Sequence, residues 1–189
     1  MATDMTKVQD PCIFSDPTGG APSPRLPDVI SEGLAVVFCG INPGMRAVAT
    51  NHHFEGNGNR FWRVLQLAGF TPELLRPEND RDLLDYRCGL TTAVGRPTAR
   101  ADQLSPHEFL ESASPLQKKI ELHRPTYIAF LGKAAYAAIS GQRHVLWGRQ
   151  NAMFGGSKVW ILPNPSGLNR SLSLDDLVRA YRELYLAID

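Results

Sequence analysis

Leu34-Ala35-Val36-Val37-Phe38-Cys39-Gly40-Ile41-Asn42-Pro43-Gly44 is an apolar run that stops at a tight turn carrying a single side-chain amide, Asn42. Val36, Val37 and Phe38 are β-branched or aromatic, and an unbroken apolar run bounded by turn residues describes a strand buried on both faces, inside a parallel sheet. The turn then falls at the strand's carboxyl end, where open α/β sheets bind their ligands. Pro43 fixes its own φ and biases Asn42 away from the helical region, while Gly40 and Gly44 let a ligand approach the backbone. A rigid loop presenting one amide and several N–H groups suits a base or an anion. An ordinary βα turn, with Asn42 bonded to its own backbone, is the other reading of the same residues.

Working outward, Thr126 to Leu131 (TYIAFL) and Lys158 to Leu162 (KVWIL) are two more buried strands, and Leu90 to Val94 is a shorter one broken by Gly95-Arg96-Pro97-Thr98. Helical patterns lie between them. Asn59 is a candidate N-cap for a helix whose Phe61, Trp62, Leu65 and Ala68 share a face and which Gly69 ends. A short helix is expected over Asp80 to Tyr86, and the capping box Ser105-Pro106-x-Glu108 opens another. Pro115 is expected at the start of a further helix through Leu122, and Gly132-Lys133 leads into an alanine-rich helix ended by Gly141. That Gly-Lys is not a P-loop, because the upstream glycine and the following Ser or Thr are missing. The glycines at 155 and 156 mark a loop or hairpin. The last helix opens at Ser173 with Asp175 and Asp176 in its first turn and a stripe of Leu174, Leu177, Val178, Tyr181 and Leu184. Alternating strands and helices predict an α/β protein, a three-layer αβα sandwich around a small, mostly parallel sheet.

Residues 1–28, with Pro11, Pro17, Pro22, Pro24, Pro27, Gly19-Gly20 and little periodic apolar content, read as a flexible leader or a strap lying on the surface, and residues 29–189 as one domain. Met45 to Gly58 reads as an exposed loop carrying Phe54 and a solvated His52-His53 pair, for which no third metal ligand follows at a useful spacing. Lys and Arg number 20 against 19 Asp and Glu, a formal charge of +1, so a nucleic-acid partner needs a local patch. Cys12, Cys39 and Cys88 are far apart and odd in number, with no C-x-x-C pair, so neither a disulfide framework nor a zinc or iron–sulfur site is indicated, which points to a reducing, intracellular setting. No apolar run reaches membrane-spanning length. No metal and no cofactor are expected.

Asn-Pro recurs: Asn42-Pro43 follows the first strand and Asn164-Pro165 the last. In a parallel sheet both loops lie on one edge, where two amides can converge on a polar planar ligand, each able to donate and accept. Phe54 offers a stacking surface. Leu168, between Gly167 and Arg170, sets an apolar side chain beside a cation, as separating stacked bases requires. The alternative makes Leu168 a helix-docking contact and Arg170 a surface charge. Arg96 and Arg100 are candidates for phosphate contacts.

GINPG at Gly40 to Gly44, NRFW at Asn59 to Trp62, LLDYRCG at Leu83 to Gly89, RPT at Arg96 to Thr98, LGK at Leu131 to Lys133 and LPNPSGL at Leu162 to Leu168 appear in one order. Together they resemble the mismatch-specific uracil-DNA glycosylases, the bacterial branch of the superfamily that also holds the thymine-DNA glycosylases, over Leu34 to Leu186. The resemblance implies a monofunctional, monomeric glycosylase of the cytoplasm and nucleoid that flips a mispaired or damaged pyrimidine out of double-stranded DNA and hydrolyses its N-glycosidic bond. By motif match Asn42 positions the attacking water, Ile41 and Gly44 contact the base, Phe54 stacks on it, and Asn164 is the pocket amide of the second loop. Gly167, Leu168, Asn169 and Arg170 match the wedge that meets the opposite guanine, Asn169 departing from the expected serine. The uracil-specific relatives have a histidine at the place of Asn164 and a tyrosine at the place of Gly44, so a wider, less discriminating pocket is implied. Asn42 cannot be a general base, and neither loop contains a carboxylate, so a supplementary acid or base has to come from elsewhere. Thr91, Thr92 and Ala93 are the expected additional pocket wall. Two other classes compete: a module that binds damaged or mismatched DNA without turnover, and a small-molecule nucleotide-binding domain, which would lack G-x-G-x-x-G and Walker patterns here.

Overall fold

The computed structural model describes residues 25–56 and 58–188. Five strands, β1 Val36–Gly40, β2 Cys88–Thr92, β3 Tyr127–Leu131, β4 Gly148–Phe154 and β5 Ser157–Leu162, form one sheet in the order β2-β1-β3-β5-β4. All neighbours pair in parallel except β4, which returns antiparallel on β5 through the expected glycine hairpin. Because side chains alternate along a strand, the apolar runs supply both faces. Val36, Phe38, Leu90, Ala129, Leu131, Trp160 and Leu162 join one core, and Val37, Cys39, Ile128, Phe130, Val159 and Ile161 the other. The first core is closed by α2 Phe61–Ala68 and α5 Leu174–Ile188, the second by α3 Pro106–His123 and α4 Lys133–Ser140. Three layers result, as the alternating pattern required.

Local chemistry sets the ends. Phe61 N–H donates to Asn59 Oδ1 (3.0 Å), Gly69 closes α2 at φ 101°, and Ser105 with Glu108 caps α3 reciprocally. Two expectations need correction. Pro115 lies inside one continuous α3, because Phe109, Leu116 and Ile120 fall on a single buried face whose packing outweighs the missing proline hydrogen bond. The expected short helix is present as a 3-10 segment, Pro77–Tyr86, whose buried Asp80 turns inward to accept the His53 N–H at 3.0 Å. The stretch after the central turn is not all loop, since Met45–Thr50 forms the short helix α1, and His53 is buried at 2% exposure rather than solvated.

Residues 1–24 of the leader lie outside the described residues, but Leu26 to Asp28 belong to the domain. The Pro27 carbonyl lies 2.8 Å from His53 Nε2, Asp28 bonds Thr91 Oγ1 and Lys119 Nζ at 2.6 Å each, and Val29 pairs with Leu90. Cys39 and Cys88 are buried, and burial pushes each thiol up to about 12, so both behave as packing groups. No helix among the described residues is long and apolar enough to cross a membrane.

The chain leaves β1 for β2 on one side and returns to β3 on the other, so the connections diverge at the carboxyl ends of β1 and β3. Ligands of open α/β sheets bind at such a switch point. A Cβ added to Gly132, just past β3, would stand 3.6 Å from Ile41 Cδ1 and 3.8 Å from Asn164 Cβ, so both Asn-Pro loops meet there.

Candidate active site

A cleft of about 770 Å³ opens at this edge, within the roughly 300–1,000 Å³ usual for small-ligand sites. Asn42 and Asn164 line it from opposite sides, with Leu131 of β3 between them. Two strand spacings, roughly 10 Å, separate the loops that carry them.

The segment after β2 holds the first loop. Ala93 N–H donates to Gly40 O, Val94 N–H to Ile41 O and Thr98 N–H to Pro43 O, so residues 93–98 run beside the turn. They also fix its amide: Asn42 Nδ2 lies 2.7 Å from Thr98 Oγ1, 3.0 Å from Arg96 O and 3.2 Å from Pro43 O. Reversing the amide would set Oδ1 against two carbonyl oxygens, so the network assigns Nδ2 to the protein. No donor among the described residues reaches Oδ1. Asn42 is therefore held mainly by a segment more than fifty residues away, not by its own backbone alone.

The second loop is braced differently. Asn164 Oδ1 accepts the Ser166 N–H (2.9 Å) in an Asx turn, and its Nδ2 meets no acceptor among the described residues. Buried Tyr181 of α5 donates to the Pro163 carbonyl at 3.2 Å and anchors the loop's start. Asn169 spends its side chain on the loop itself, Nδ2 donating to Asn164 O (3.0 Å) and Oδ1 accepting from Ser171 Oγ (2.7 Å). Leu168 is 72% exposed and docks no helix, and no carboxylate among the described residues lies within 4.0 Å of exposed Arg170. Gly167 packs so closely on the Gly58 backbone that a Cβ would stand 2.6 Å from its carbonyl oxygen.

The remaining expected residues divide. Ile41, Gly44 and Phe54 line the cleft; the Phe54 ring stacks on Phe61 at 3.8 Å, and its backbone sits at φ 53°, unusual for a non-glycine residue. Of the expected wall, Thr92 alone lines this cleft; Thr91 is buried on Asp28 and Lys119, and Ala93 faces a smaller neighbouring cavity. Arg96 and Arg100 are paired, with Glu108 at 2.6 Å and Asp102 at 2.7 Å. Two carboxylates that the loops themselves lack do line the cleft, Glu55 and Asp102, each bonded to an arginine.

The sequence model of the Uracil DNA glycosylase superfamily matches residues 27–185, most of the chain and every residue lining the cleft except Leu26. The chain belongs to the uracil DNA glycosylase superfamily. A solved relative in fold is a candidate uracil DNA glycosylase from Methanosarcina acetivorans, determined by solution NMR, with a TM-score of 0.55 and 19% identity over 85% of this chain and 97% of that one. Superfamily membership carries a DNA glycosylase role, and DNA as the molecule acted on.

Two residues of this uracil DNA glycosylase superfamily member had no role in the sequence reading. Arg60 clamps the second loop from the start of α2: its guanidinium reaches the carbonyls of Pro165 (3.4 Å), Ser166 (3.3 Å), Asn169 (2.7 Å) and Leu172 (2.7 Å). Backbone carbonyls leave no mark in sequence; only the NRFW run flagged the place. His53 lines the cleft too, and burial lowers its pKa, keeping the ring neutral with Nε2–H donating to Pro27 O. The adjacent histidines concealed this, since only one of the pair faces inward.

Proposed function

We propose that the protein excises uracil and related mispaired or damaged pyrimidines opposite guanine from duplex DNA, as the mismatch-specific branch does. The observation that carries the reading is the pair of amides: Asn42 with Nδ2 bound to the protein and Oδ1 unclaimed, and Asn164 with the reverse arrangement. Asn42 Oδ1 accepts a hydrogen bond from a water and holds it toward C1′ of the extruded nucleotide. That water's oxygen forms the new bond to C1′ while the N-glycosidic bond breaks, its electron pair leaving on the pyrimidine; the water's proton passes to solvent. Asn164 Nδ2 is a donor for the base as negative charge develops on it. Asn42 has no titratable proton, so it orients water without deprotonating it. Much of the barrier is then lowered by positioning and by the departing anion's stabilisation.

Selectivity follows from the open mouth. A Cβ at Gly44 would meet nothing within 4 Å, so the pocket admits pyrimidines with a 5-substituent. Discrimination then rests on how readily a base leaves its pair, which costs a few kcal/mol and least in a mismatch. Phe54 supplies one ring face to the flipped base, and Leu168 fills the gap left in the stack.

Single-turnover release of free base from duplexes with one G·U, G·T or A·U pair tests this. Release ranked G·U, then G·T, with A·U slowest, is the expected result. Duplex binding without release from any of them would support a recognition module, a reading favoured by one observation: both carboxylates of the cleft are tied to arginines.

A further inference from the structure

The formal charge of +1 conceals an uneven distribution. From Leu122 to Leu174 there is no Asp or Glu, while Arg124, Lys133, Arg143, Arg149, Lys158 and Arg170 supply six cations; the rest of the chain, with fourteen cations to nineteen acids, carries −5. The fold sorts these cations by edge. Arg124 pairs with Glu32, and Lys158 lies 5.3 Å from the Tyr127 ring at the start of β3, at the edge away from the cleft. Lys133 follows the end of β3, one residue past the glycine that touches both loops. Because β4 is antiparallel, its start lies at the same edge: Gly148 pairs with Ile161 and Arg149 with Trp160, next to the end of β5. Lys133 Nζ stands 4.4 Å over the ring of Trp147, itself 51% exposed, and Arg149 is exposed. Among the described residues no carboxylate lies within 4.0 Å of Lys133, Arg149 or Arg170.

We propose that Lys133, Trp147 and Arg149 form a phosphate track that continues the DNA contact from the second loop to the β4 edge and holds the duplex flanking the extruded nucleotide. This rests on the reading of the cleft as a DNA glycosylase site. β4 lies two strand spacings, roughly 10 Å, from β3. A duplex carries one phosphate per strand for about every 3.4 Å of helix axis, so an edge of this length lies alongside more than one phosphate. The indole holds the Lys133 ammonium at the rim through a cation–π contact and offers its exposed edge to the sugar. An acid-free run of cations along one edge fits a polyanion of regular spacing, and the cleft it borders takes a base from such a polymer.

The test is the salt dependence of binding to a short lesion-free duplex and to the same duplex with one G·U pair in a non-hydrolysable nucleotide. Lys133→Gln and Arg149→Gln should each lower the slope of log K against log salt by about 0.9, weakening both duplexes by the same factor. Arg96→Gln and Arg100→Gln should leave the slope at the wild-type value. Trp62 and Trp160 are buried at 6% and 7% exposure, so a change in tryptophan emission on adding lesion-free duplex should come from Trp147 and vanish in Trp147→Phe. A wild-type slope in the Lys133→Gln/Arg149→Gln double variant, or an emission change that survives Trp147→Phe, overturns the track. If the wild type releases uracil yet the double variant keeps its slope, the track alone fails. If the slope falls as expected but no base is ever released, the glycosylase reading fails while the track stands as a DNA-binding surface.

Discussion

The two halves of the cleft edge are built on opposite plans. On the β1 side the donors and cations are answered from within, and Asn42 Oδ1 is left open: Asn42 Nδ2 has three acceptors, Thr98 Oγ1 also donates to Arg100 O, and Arg46, Arg96 and Arg100 each pair with a carboxylate. On the β5 side the loop's carbonyls converge on one cation, Arg60, and what points outward is unmatched: Leu168, Arg170, and beyond them Lys133 and Arg149. A locked half with one acceptor left open can hold one water in one place, which is what chemistry asks of it. A half with exposed apolar and cationic groups is arranged for something outside the protein, since neither kind of group stabilises the free chain. Rigidity and reach are thus assigned to different loops of one cleft.

The comparison breaks first at Asn42. Asn42→Ala removes an acceptor that no donor among the described residues claims, and should lower single-turnover excision by at least about 10²-fold, the scale of losing one preorganised polar group at a reacting centre. Duplex affinity should stay at the wild-type value if, as proposed, the β5 side makes the contact. Wild-type excision in this variant would remove the chemistry from the locked half altogether.

Arg60→Gln strikes the other half. It deprives the Pro165, Ser166, Asn169 and Leu172 carbonyls of their shared donor, and lysine cannot replace a planar fork that reaches several acceptors at once. Losing such bonds costs about 1–3 kcal/mol, a fall in thermal midpoint of several degrees for a chain this size. The decisive measurement is excision from single-stranded against duplex uracil substrate. If Arg60 serves the wedge, the duplex rate should drop about tenfold further than the single-stranded rate; an equal loss on both would make it a general stabiliser.

A smaller effect belongs to Leu168, the proposed wedge. Leu168→Ala should slow release from the well-paired A·U duplex several-fold while leaving G·U nearly unchanged, because unpairing costs least in a mismatch. Equal slowing of both duplexes would argue that Leu168 contacts DNA without prising it open.

The strands and turns of both halves were legible in sequence. Val36 to Phe38, the Asn42-Pro43 turn and the Asn164-Pro165 turn announced themselves because strands and tight turns are written in contiguous residues. The clamp was not, since Arg60 acts on backbone carbonyls more than a hundred residues away, and any residue presents the same carbonyl. Arg96 and Arg100 looked like free cations because their partners, Glu108 and Asp102, sit on the next helical turns, where pairing depends on how the chain folds back. Pro115 read as a helix start because a proline rule is local, whereas the face shared by Phe109, Leu116 and Ile120 is tertiary. The run without acids from Leu122 to Leu174 was plain in the letters and invisible in the net charge.

Glu108 gives the finest test of the difference between the halves. Its carboxyl is held down to about 2, chiefly by the Arg96 guanidinium and then by the Ser105 N–H and hydroxyl. A carboxylate whose folded pKa is depressed contributes stability that is complete above its unfolded pKa and lost as pH falls through the folded value, so this pair stays formed until well into acid. No pH at which duplex DNA binds can therefore liberate Arg96; only substitution can. Glu108→Gln keeps a side chain able to complete the capping box of α3, so the helix should still start at Pro106, while the full negative charge opposite Arg96 is gone. With its neighbour neutral, Arg96 becomes a free cation on the β1 side, and the salt slope for lesion-free duplex should steepen, by at most about 0.9. A slope unchanged in Glu108→Gln would show that the β1 side does not face the phosphates at all and that the edge is divided by orientation as well as by charge.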